Sequence, residues 1–397
     1  MVPKYLASVT LGLALAVLHV PGCSWDYPVW PKSSKSDTPL FRFVINERYG
    51  AGYIDRQGRV VIQPQFLAFG NHGGDFFDGL ANVTTEHGGS FYIDASGKRV
   101  TRSNYLATGD FSEGLTTRCF PGEKKWGYID RTGKLVIPAV FDSASSFSEG
   151  LAAVMLGSRF GYIDHTGKLV IPAKFASAGE FADGHALVVE NGSCQLIGYG
   201  PCEYPLNPPY MIPDGSGISP KLPDKSVQRC HYSVIEHSGR VVFSGSYIDA
   251  KHYSEGLAPI GDGKSWGFID YTGKVRIPLQ FQDAEPYSGG LARVRLGGRV
   301  GFIDKNGVIV IAPQFLHAQD FSEAFAVVMD DQYKYSFVDT KGNRALPGDF
   351  DGASSFVMGL AHIRVGHDYY SSKWSYIDRT GKAIFTYSDQ SNRQSNR

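Results

Sequence analysis

Nine copies of a short pattern, Ile or Val followed by Asp or Glu and then by Gly three residues later, run along this 397-residue chain. Their spacing is mostly about 35 residues, and the copies begin at Ile54, Ile93, Ile129, Ile163, Ile235, Ile269, Ile303, Val338 and Ile377. A fixed period of this length is typical of repeat arrays, in which each unit buries its apolar face only against its neighbours. We therefore expect stacked units rather than a globule built around one pocket.

One clean unit, residues 151–184, predicts three short strands over residues 151–155, 160–164 and 168–171. Between the last two, the Asp164 side chain can accept backbone N–H groups, and Gly167 supplies the positive φ of a tight hairpin turn. Pro172 has no N–H for a strand ladder, so the third strand ends there or lies at a solvent-facing edge. Equivalent prolines stand at Pro64, Pro138, Pro278 and Pro313.

A second signature, an aromatic residue followed by Gly three residues later, accompanies most copies, as in Phe147 to Gly150. The distance from the turn acid to this aromatic is 17 residues in seven of eight copies, for example from Asp130 to Phe147. By contrast, the distance from the closing Gly to the next acid varies between 14 and 52 residues. The length variation therefore concentrates in the turn between the first and second strands, on one edge of the array.

The segment Trp126-Gly127-Tyr128-Ile129-Asp130, followed by Phe147-Ser-Glu-Gly, resembles the repeat of bacterial WG-repeat (KWG-repeat) proteins, and Trp266-Gly267 begins a second full match. The resemblance covers roughly residues 49–385 and implies an all-β repeat protein, without carrying over any catalytic or binding residue. We expect about nine three-stranded antiparallel units in a curved β-solenoid or superhelix. The alternative is a closed β-propeller, with a short fourth strand around residues 141–147.

The N-terminal residues predict export. Lys4 precedes a short apolar run over residues 6–18, so residues 1–22 are predicted to be a signal peptide. Residues 20–23 resemble a lipobox, although Pro21 departs from its usual pattern, and this predicts acylation of Cys23 and a lipid-anchored cell-envelope protein (periplasm or outer surface). Plain secretion and an uncleaved anchor are the alternatives. Residues 23–40 then form a Pro- and Ser-containing tether.

The repeats divide into two blocks, residues 41–190 with repeats 1–4 and residues 230–387 with repeats 5–9, followed by a polar tail at 388–397. Between the blocks lies a Pro- and Gly-rich insertion, residues 191–229. Such a segment buries little apolar surface, and a disulfide would order it, with Cys194–Cys202 or Cys202–Cys230 as the expected pairs. Free thiols are the alternative; a zinc site is less favoured because C-x-x-C spacing is absent.

The chain shows no catalytic, phosphate-binding or dinucleotide motif, so we expect no enzyme activity, no cofactor and no metal. Its 39 basic and 39 acidic residues balance, which argues against nucleic-acid binding. The repeated acids are interpreted as turn caps, each in a cross-strand ion pair with a base at the fifth place of the turn in seven copies. The repeated aromatics are interpreted as core between units rather than as sugar-stacking platforms.

Two functions from different classes remain at this point. The first is a non-catalytic envelope scaffold that binds a protein or a cell-wall glycan through its variable turns. We place binding there because recognition residues usually lie in loops on a rigid frame. The second is an exported hydrolase with its site in residues 191–229. For the first, the binding-edge candidates are Lys124, Lys125, Arg159, Lys264, Arg299, Tyr333, Tyr369 and Tyr370.

Overall fold

The computed structural model describes residues 39–45, 50–67, 74–85, 90–101, 109–120, 124–192, 230–366 and 372–388. All regular elements within these ranges are β-strands, and they form nine separate antiparallel sheets of three or four strands. Consecutive strands of the chain are neighbours in each sheet. We call the sheets blades 1 to 9 in chain order.

The first four blades contain thirteen strands. Blade 1 consists of β1 (Phe41–Val44), β2 (Ala51–Ile54) and β3 (Val60–Phe66); blade 2 of β4 (Phe76–Phe77), β5 (Leu80–Thr84) and β6 (Ser90–Ile93); blade 3 of β7 (Leu115–Phe120), β8 (Lys125–Asp130) and β9 (Leu135–Phe141). Blade 4 consists of β10 (Ser143–Ala144), β11 (Ala152–Leu156), β12 (Arg159–Ile163) and β13 (Leu169–Phe175).

The last five blades follow the same plan. Blade 5 consists of β14 (Ser177–Ala178), β15 (His185–Val189), β16 (Cys230–Glu236) and β17 (Val241–Tyr247); blade 6 of β18 (Asp249–Ala250), β19 (Leu257–Gly261), β20 (Trp266–Asp270) and β21 (Val275–Phe281); blade 7 of β22 (Asp283–Ser288), β23 (Leu291–Leu296), β24 (Arg299–Ile303) and β25 (Ile309–Phe315). Blade 8 consists of β26 (His317–Ala318), β27 (Phe325–Met329) and β28 (Tyr335–Asp339), and blade 9 of β29 (Gly352–Ala353), β30 (Leu360–Val365), β31 (Lys373–Asp378) and β32 (Ala383–Ser388).

In four of the five four-stranded blades the inner strand has two residues and the outer strand has six or seven, whereas in blade 7 the inner strand has six. In blade 5 the two residues of the first strand, Ser177 and Ala178, are buried. At the opposite edge of blade 4, Leu169 and Val170 of β13 are about 40% exposed although both are apolar. The short strands therefore gather inside the ring and the long strands face solvent. The fourth strand expected around residues 141–147 is present as β10.

Aromatic pairs form the core between successive blades. Tyr128 of β8 packs on Phe147, the aromatic that precedes the second strand of blade 4, with ring centroids 5.0 Å apart. Equivalent pairs with centroids 4.8 to 5.2 Å apart join Tyr53–Phe76, Tyr92–Phe111, Tyr162–Phe181, Phe268–Tyr287, Phe302–Phe321 and Phe337–Phe356. The interpretation of the repeated aromatics as core is thus confirmed for these rings. Trp126 and Trp266 differ, because they are only partly buried against this core.

The outer strands do not end at their prolines. β13 continues through Pro172 to Phe175, and its pairing with β12 shifts register between Tyr162 and Phe160. The prediction that the third strand of the unit ends at Pro172 was wrong, whereas its alternative, an edge position, is correct. A proline is tolerated there because the outward side of an edge strand has no ladder partner to lose.

The shifted outer strand explains the glycine of the Trp-Gly pair. A Cβ on Gly161 would lie 2.5 Å from the carbonyl oxygen of Ile171, closer than real Cβ atoms approach. The equivalent glycines Gly52, Gly127, Gly267 and Gly301 meet the same obstruction, and all five blades have a proline in the outer strand. In blades 5 and 9 the outer strand has no proline, and Ser233 and Ser375 replace the glycine. The glycine of the third strand and the proline of the outer strand thus occur together, because the shifted outer strand leaves no room for a Cβ at the glycine.

The nine blades close into a ring. The side chains of Phe41 and Phe43 from blade 1 join a core cluster with Leu360 and Phe385 of blade 9. The rings of Phe43 and Phe385 have centroids 4.9 Å apart. The structure is therefore a nine-bladed β-propeller, the fold that the sequence left as the alternative to an open array. Within the described chain, no strand is exchanged at the closure, since blade 1 draws only on residues 41–66 and blade 9 only on residues 352–388.

Candidate functional site

The two faces of the propeller are built differently. In an antiparallel sheet, successive connections lie at alternate ends. The Asp-x-x-Gly turns and the aromatic-x-x-Gly turns therefore share one face, which we call the turn face. The connections between the second and third strands of the four-stranded blades, including the point where residues 191–229 leave and return, share the other face, which we call the loop face. In blades 1 and 3 the described sheet begins with the equivalent of the second strand, so the connection between their first two strands lies on the loop face. The length variation that the sequence assigned to the first and second strands of the unit falls on this loop face.

On the turn face, each hairpin acid is used within its own turn. Asp164 Oδ1 accepts hydrogen bonds from the Thr166 hydroxyl at 2.6 Å, the Thr166 N–H at 2.9 Å and the Lys168 N–H at 3.1 Å. The Thr166 hydroxyl hydrogen bond, assisted by these amides, holds the pKa of Asp164 below its ordinary value. Seven other aspartates of the repeat accept turn amides in the same way: Asp55, Asp94, Asp130, Asp270, Asp304, Asp339 and Asp378. These carboxylates cap turns.

The ion pair expected at each turn is much rarer than the pattern predicted. Arg59 pairs with Asp55 and Arg240 with Glu236, both at 2.6 Å. The five lysines at the equivalent place, Lys98, Lys134, Lys168, Lys274 and Lys382, form no such pair among the residues that the structure describes. They donate their backbone N–H to the acid instead. Exposed lysines lose side-chain entropy in such a pair and gain little from it.

A second set of acids, which sequence analysis missed, joins neighbouring blades on the turn face. Glu323, in the turn before β27, accepts a hydrogen bond from the N–H of Gly359 in blade 9 at 2.8 Å and pairs with Arg379 at 2.9 Å. The amides of the next blade are bound in the same way by Asp78, Glu113, Glu149, Asp183 and Glu255. The sequence signal for this set was an acid that recurs directly before the glycine of the aromatic-x-x-Gly turn, or before Ala324 in the case of Glu323. The turn face is thus occupied by contacts within the protein.

The basic candidates of the binding edge lie on the loop face, but most contact their neighbours. Lys125 Nζ is 2.5 Å from Asp142 Oδ1, which lies where the chain crosses into blade 4. Arg159 Nη1 donates to the carbonyl of Glu190 in the next blade at 2.9 Å. Arg299 of blade 7 pairs with Asp331 of blade 8. These contacts bring neighbouring loops together and neutralise part of the charge assigned to the rim.

The remaining candidates are more exposed. Tyr333 is 70% exposed, the largest exposure among the large hydrophobic side chains of the described residues, and it has a φ of 59°. Lys264 and Lys124 are exposed on the connections of blades 6 and 3. Tyr369 and Tyr370 lie outside the described residues. Tyr333 is therefore the one aromatic anchor that the structure places on the loop face.

Two half-buried aspartates with raised pKa values lie near the ring closure, which the sequence did not predict. Burial raises the pKa of Asp75 to about 6 against the opposing charge of Arg42. Burial, followed by the negative charge of Asp75, raises the pKa of Asp110 to about 7. A cavity of about 20 Å³ lies nearby, bordered by Arg42, Tyr53 and Gly74. This volume suits one water molecule and is far below that of a small-molecule site.

His362, in β30, is a neutral core residue. Its ring stacks on Trp374 and Tyr376 with centroids 4.9 and 4.7 Å away, and its Nε2 lies 2.8 Å from the Tyr387 hydroxyl. Burial lowers the pKa of His362 to about 4. Across the described ranges, no group of three or more His, Cys, Asp or Glu residues is placed to hold a metal ion.

Two cysteines of the described chain, Cys119 and Cys230, are disulfide-bonded. Cys119 lies in β7 of blade 3 and was not among the disulfide candidates, because nothing in its spacing distinguishes it. Cys23, Cys194 and Cys202 lie outside the described residues, as do the predicted signal peptide, residues 23–38 of the tether and residues 193–229 of the insertion. In the part of the chain that the structure describes, no helix has the length and hydropathy needed to span a membrane.

The fold and its faces define a class, the β-propeller built from short tandem repeats. The model of the WG containing repeat matches five positions across the chain, residues 52–85, 126–159, 160–194, 266–299 and 301–333, so the chain contains WG repeats. Each matched segment begins in the third strand of one blade or its equivalent and runs into the next blade, so the sequence repeat and the blade are out of phase. None of the curated proteins matches the chain in sequence.

Some solved structures are similar to this chain. A eukaryotic initiation factor is 10% identical with a TM-score of 0.57, and the match covers 90% of this chain and 97% of that one. The computationally designed Ika8 protein is 9% identical with a TM-score of 0.40, covering 77% of this chain and 94% of its own. BamB from Moraxella catarrhalis is 11% identical with a TM-score of 0.37, covering 75% and 97%. At 10% identity the likeness to the initiation factor concerns the fold alone.

Proposed function

We propose that this WG-repeat-containing protein is a non-catalytic scaffold of the cell envelope that binds a protein or a cell-wall glycan through its loop face. The observation that carries the proposal is the difference between the two faces. On the turn face the turns are nearly identical, and their carboxylates accept hydrogen bonds from backbone amides of the same or the next blade. On the loop face, the connections differ in length and residue type, and Tyr333 stands out with 70% exposure.

The chemistry of the described residues supports a role in binding rather than catalysis. The cavity bordered by Arg42, Tyr53 and Gly74, next in sequence to the half-buried Asp75, has a volume of about 20 Å³. A substrate needs a cleft more than ten times larger. The loop face, in contrast, offers a rigid frame with neighbouring loops joined by Arg159 and Arg299. Pre-organised loops reduce the entropy lost on binding.

Export and lipid anchoring belong to the same proposal. The apolar run at residues 6–18 ends shortly before Cys23, and the disulfides at Cys119 and Cys230 are typical of an oxidising compartment outside the cytoplasm. Metabolic labelling with an alkyne fatty acid tests the anchor. We expect label and membrane fractionation for the wild type and neither for Cys23→Ser. An unlabelled wild-type protein would leave secretion without an anchor.

A pull-down with residues 39–397 against envelope extract and purified cell-wall glycan tests the binding. We expect recovery of a partner that falls for a variant with Tyr333→Ala, Tyr369→Ala and Tyr370→Ala. The matched control is Val308→Ala, which truncates a side chain of 58% exposure on the opposite, turn face and leaves recovery unchanged. Equal recovery from the triple variant and the control, both folded, would contradict a loop-face site.

The hydrolase alternative is separated by activity. Residues 191–229 lie largely outside the described residues, so the structure of the propeller provides no support for a hydrolase site in that segment. Purified protein is assayed against chromogenic ester and glycoside substrates, with a deletion of residues 193–229 alongside. Turnover that disappears with the deletion would replace the scaffold proposal with an enzyme.

A further inference from the structure

The described chain enters the ring at the turn face. β1 pairs antiparallel with β2, and Phe41, at the start of β1, lies opposite Ile54, which directly precedes the Asp-x-x-Gly turn of blade 1. Residues 39–40 therefore lie at the turn-face end of blade 1. The described chain ends on the other face, because β32 runs from the turn after Asp378 towards the loop face and ends at Ser388. The predicted tether is therefore attached at the turn face.

The length of the chain before residue 39 sets how far the turn face can lie from its anchor. Residues 23–38 number sixteen. A flexible chain of sixteen residues has an average end-to-end distance of about 22 Å. A seven-residue strand such as β3 spans about 23 Å from the turn face to the loop face. With an acyl group on Cys23 held in a bilayer, the turn face is therefore the face nearer to the lipid.

Exposed apolar side chains collect at the margin of the same face. Of the sixteen large hydrophobic side chains that are exposed in the described chain, twelve lie in a five-residue Asp-x-x-Gly-x turn or in the two residues after it. They are Val60, Val61, Leu135, Val136, Leu169, Val170, Val241, Tyr271, Val275, Val308, Ile309 and Val310, and we call them the turn-face rim. Because the outer strands begin at the turn-face end of each blade, these side chains lie around the ring at one level.

Lysines border the turn-face rim. In five blades the fifth residue of the turn is an exposed lysine, which directly precedes the outer strand or its equivalent: Lys98, Lys134, Lys168, Lys274 and Lys382. The acids of these turns are half-buried and accept backbone N–H groups, so a surface that approaches the turn face meets the ammonium groups first. Basic side chains beside exposed aliphatic ones are typical of protein surfaces that lie at the headgroup level of a bilayer.

We propose that the turn face docks on an anionic lipid bilayer, with the turn-face rim at the headgroup boundary and the five lysines against the anionic headgroups. The proposal rests on the acyl anchor at Cys23, which is part of the proposed function. Because the anchor makes the contact intramolecular, single exposed residues that each bind weakly are enough to hold the ring on the membrane. The loop face and Tyr333 then point away from the bilayer, towards a protein or glycan partner.

Amine footprinting of the mature protein tests this orientation. The protein is reconstituted on phosphatidylglycerol vesicles or kept in detergent, its acyl group is verified by mass spectrometry, and lysine modification is measured on its peptides. We expect modification of Lys134, Lys168 and Lys382 to fall by about threefold or more on the vesicles. The exposed loop-face lysines Lys264 and Lys373 keep their detergent values. Equal modification of both groups in acylated protein overturns the docking and leaves the anchor intact, whereas a protein without the acyl group rejects both.

Charge reversal separates docking from anchoring alone. In acylated protein carrying Lys134→Glu and Lys168→Glu, we expect Lys382 to lose its protection on phosphatidylglycerol vesicles, because the substituted side chains then repel the headgroups. Wild-type protein on neutral phosphatidylcholine vesicles should lose it too. The matched control, Lys264→Glu with Lys373→Glu on the loop face, keeps the protection, and circular dichroism verifies that both variants are folded. Protection of Lys382 that persists in the turn-face variant and on neutral vesicles would show that the tether alone sets the orientation, and would reject the docking.

Discussion

The hydroxyl of Tyr376, in blade 9, donates a hydrogen bond of 2.5 Å to the backbone carbonyl of Arg42 in blade 1, across 334 residues of sequence. Inside the ring the same kind of bond joins consecutive blades, as from the Tyr162 hydroxyl to the carbonyl of Gly179 at 2.7 Å. The contact between blades 9 and 1, which we call the seam, thus uses the same kind of hydrogen bond as the contacts between consecutive blades. Blades 9 and 1 differ only in having no direct chain connection.

Tyr376→Phe removes this hydroxyl and keeps the ring. We expect the free energy of unfolding to fall by about 1 to 2 kcal/mol, because the Arg42 carbonyl loses a buried partner. Urea denaturation measures the loss. Tyr162→Phe is the control: it costs a similar amount, but limited proteolysis should release the N-terminal blade faster only in Tyr376→Phe. Equal release from both variants would show that the seam is no weaker than other joints.

Gly161→Ala places a methyl group 2.5 Å from the Ile171 carbonyl oxygen, so the outer strand of blade 4 must shift. We expect a loss of about 1 to 3 kcal/mol, as for other overpacked sites. Ser375→Ala, at the same place in a blade without the proline, removes only an exposed hydroxyl contact with Thr386 and should cost about 0.5 kcal/mol. Thermal melts of the two variants that coincide would refute the coupling of glycine to the shifted strand.

Glu323→Gly tests the acids that join blades. Glycine keeps the positive φ of this turn, as Gly289 does in blade 7, while the bond to the Gly359 amide and the pair with Arg379 are lost. We expect destabilisation of about 1 to 2 kcal/mol in urea. Arg379→Gln removes the exposed ion pair alone and should cost under about 0.5 kcal/mol. A cost of Arg379→Gln equal to that of Glu323→Gly would assign the effect to the ion pair.

Phe268→Ala should cost more than Trp266→Ala, although tryptophan is the larger residue. Phe268 is fully buried between blades, whereas Trp266 is partly exposed beneath Lys251. Burial predicts a loss of about 3 to 5 kcal/mol for Phe268→Ala and a smaller one for Trp266→Ala. Calorimetry on both variants compares them. A larger loss for Trp266→Ala would restore the tryptophan as the main core residue of the repeat.

Asp75 and Asp110 predict a pH dependence. Their folded pKa values, about 6 and about 7, lie above the ordinary value of 3.8. The folded state therefore binds more protons than the unfolded state, and the stability contributed by these groups is fully present below about pH 4 and is lost as pH rises towards 7. Denaturation between pH 4 and 7 should show a smaller decline for Asp110→Asn. A decline identical to that of the wild type would contradict the assignment.

The local parts of this fold could be predicted from sequence and the long-range parts could not. The turn at Asp164 and Gly167 is encoded within five residues, so both its geometry and its capping were predictable. The ring closure depends on the small rotation between each pair of blades summed over nine blades, and no single residue reports that sum. Likewise, the acid of Glu149 was visible before Gly150, but its partner, the amide of Gly184, lies 35 residues further along.

The candidate site was predicted in part. The loop face carries the varied connections, as the sequence indicated, and Tyr333 is exposed there. The basic residues do not form the free charged rim that the sequence indicated, because Lys125, Arg159 and Arg299 contact neighbouring blades. Such contacts depend on which loops the fold places side by side. The disulfide at Cys119 and the ionisable groups near the seam depend on the same tertiary neighbours.

Each sequence repeat begins in one blade and ends in the next, and this offset affects both the duplication of repeats and the proteolysis of the ring. A segment such as residues 126–159 supplies β9 and most of β8 to blade 3 and β10 and β11 to blade 4. Duplication of one repeat therefore inserts a blade without breaking any existing sheet, because the new segment completes one partial blade and begins another. A proteolytic cut at a repeat boundary, by contrast, splits a blade between its second and third strands and leaves two unmatched half-sheets.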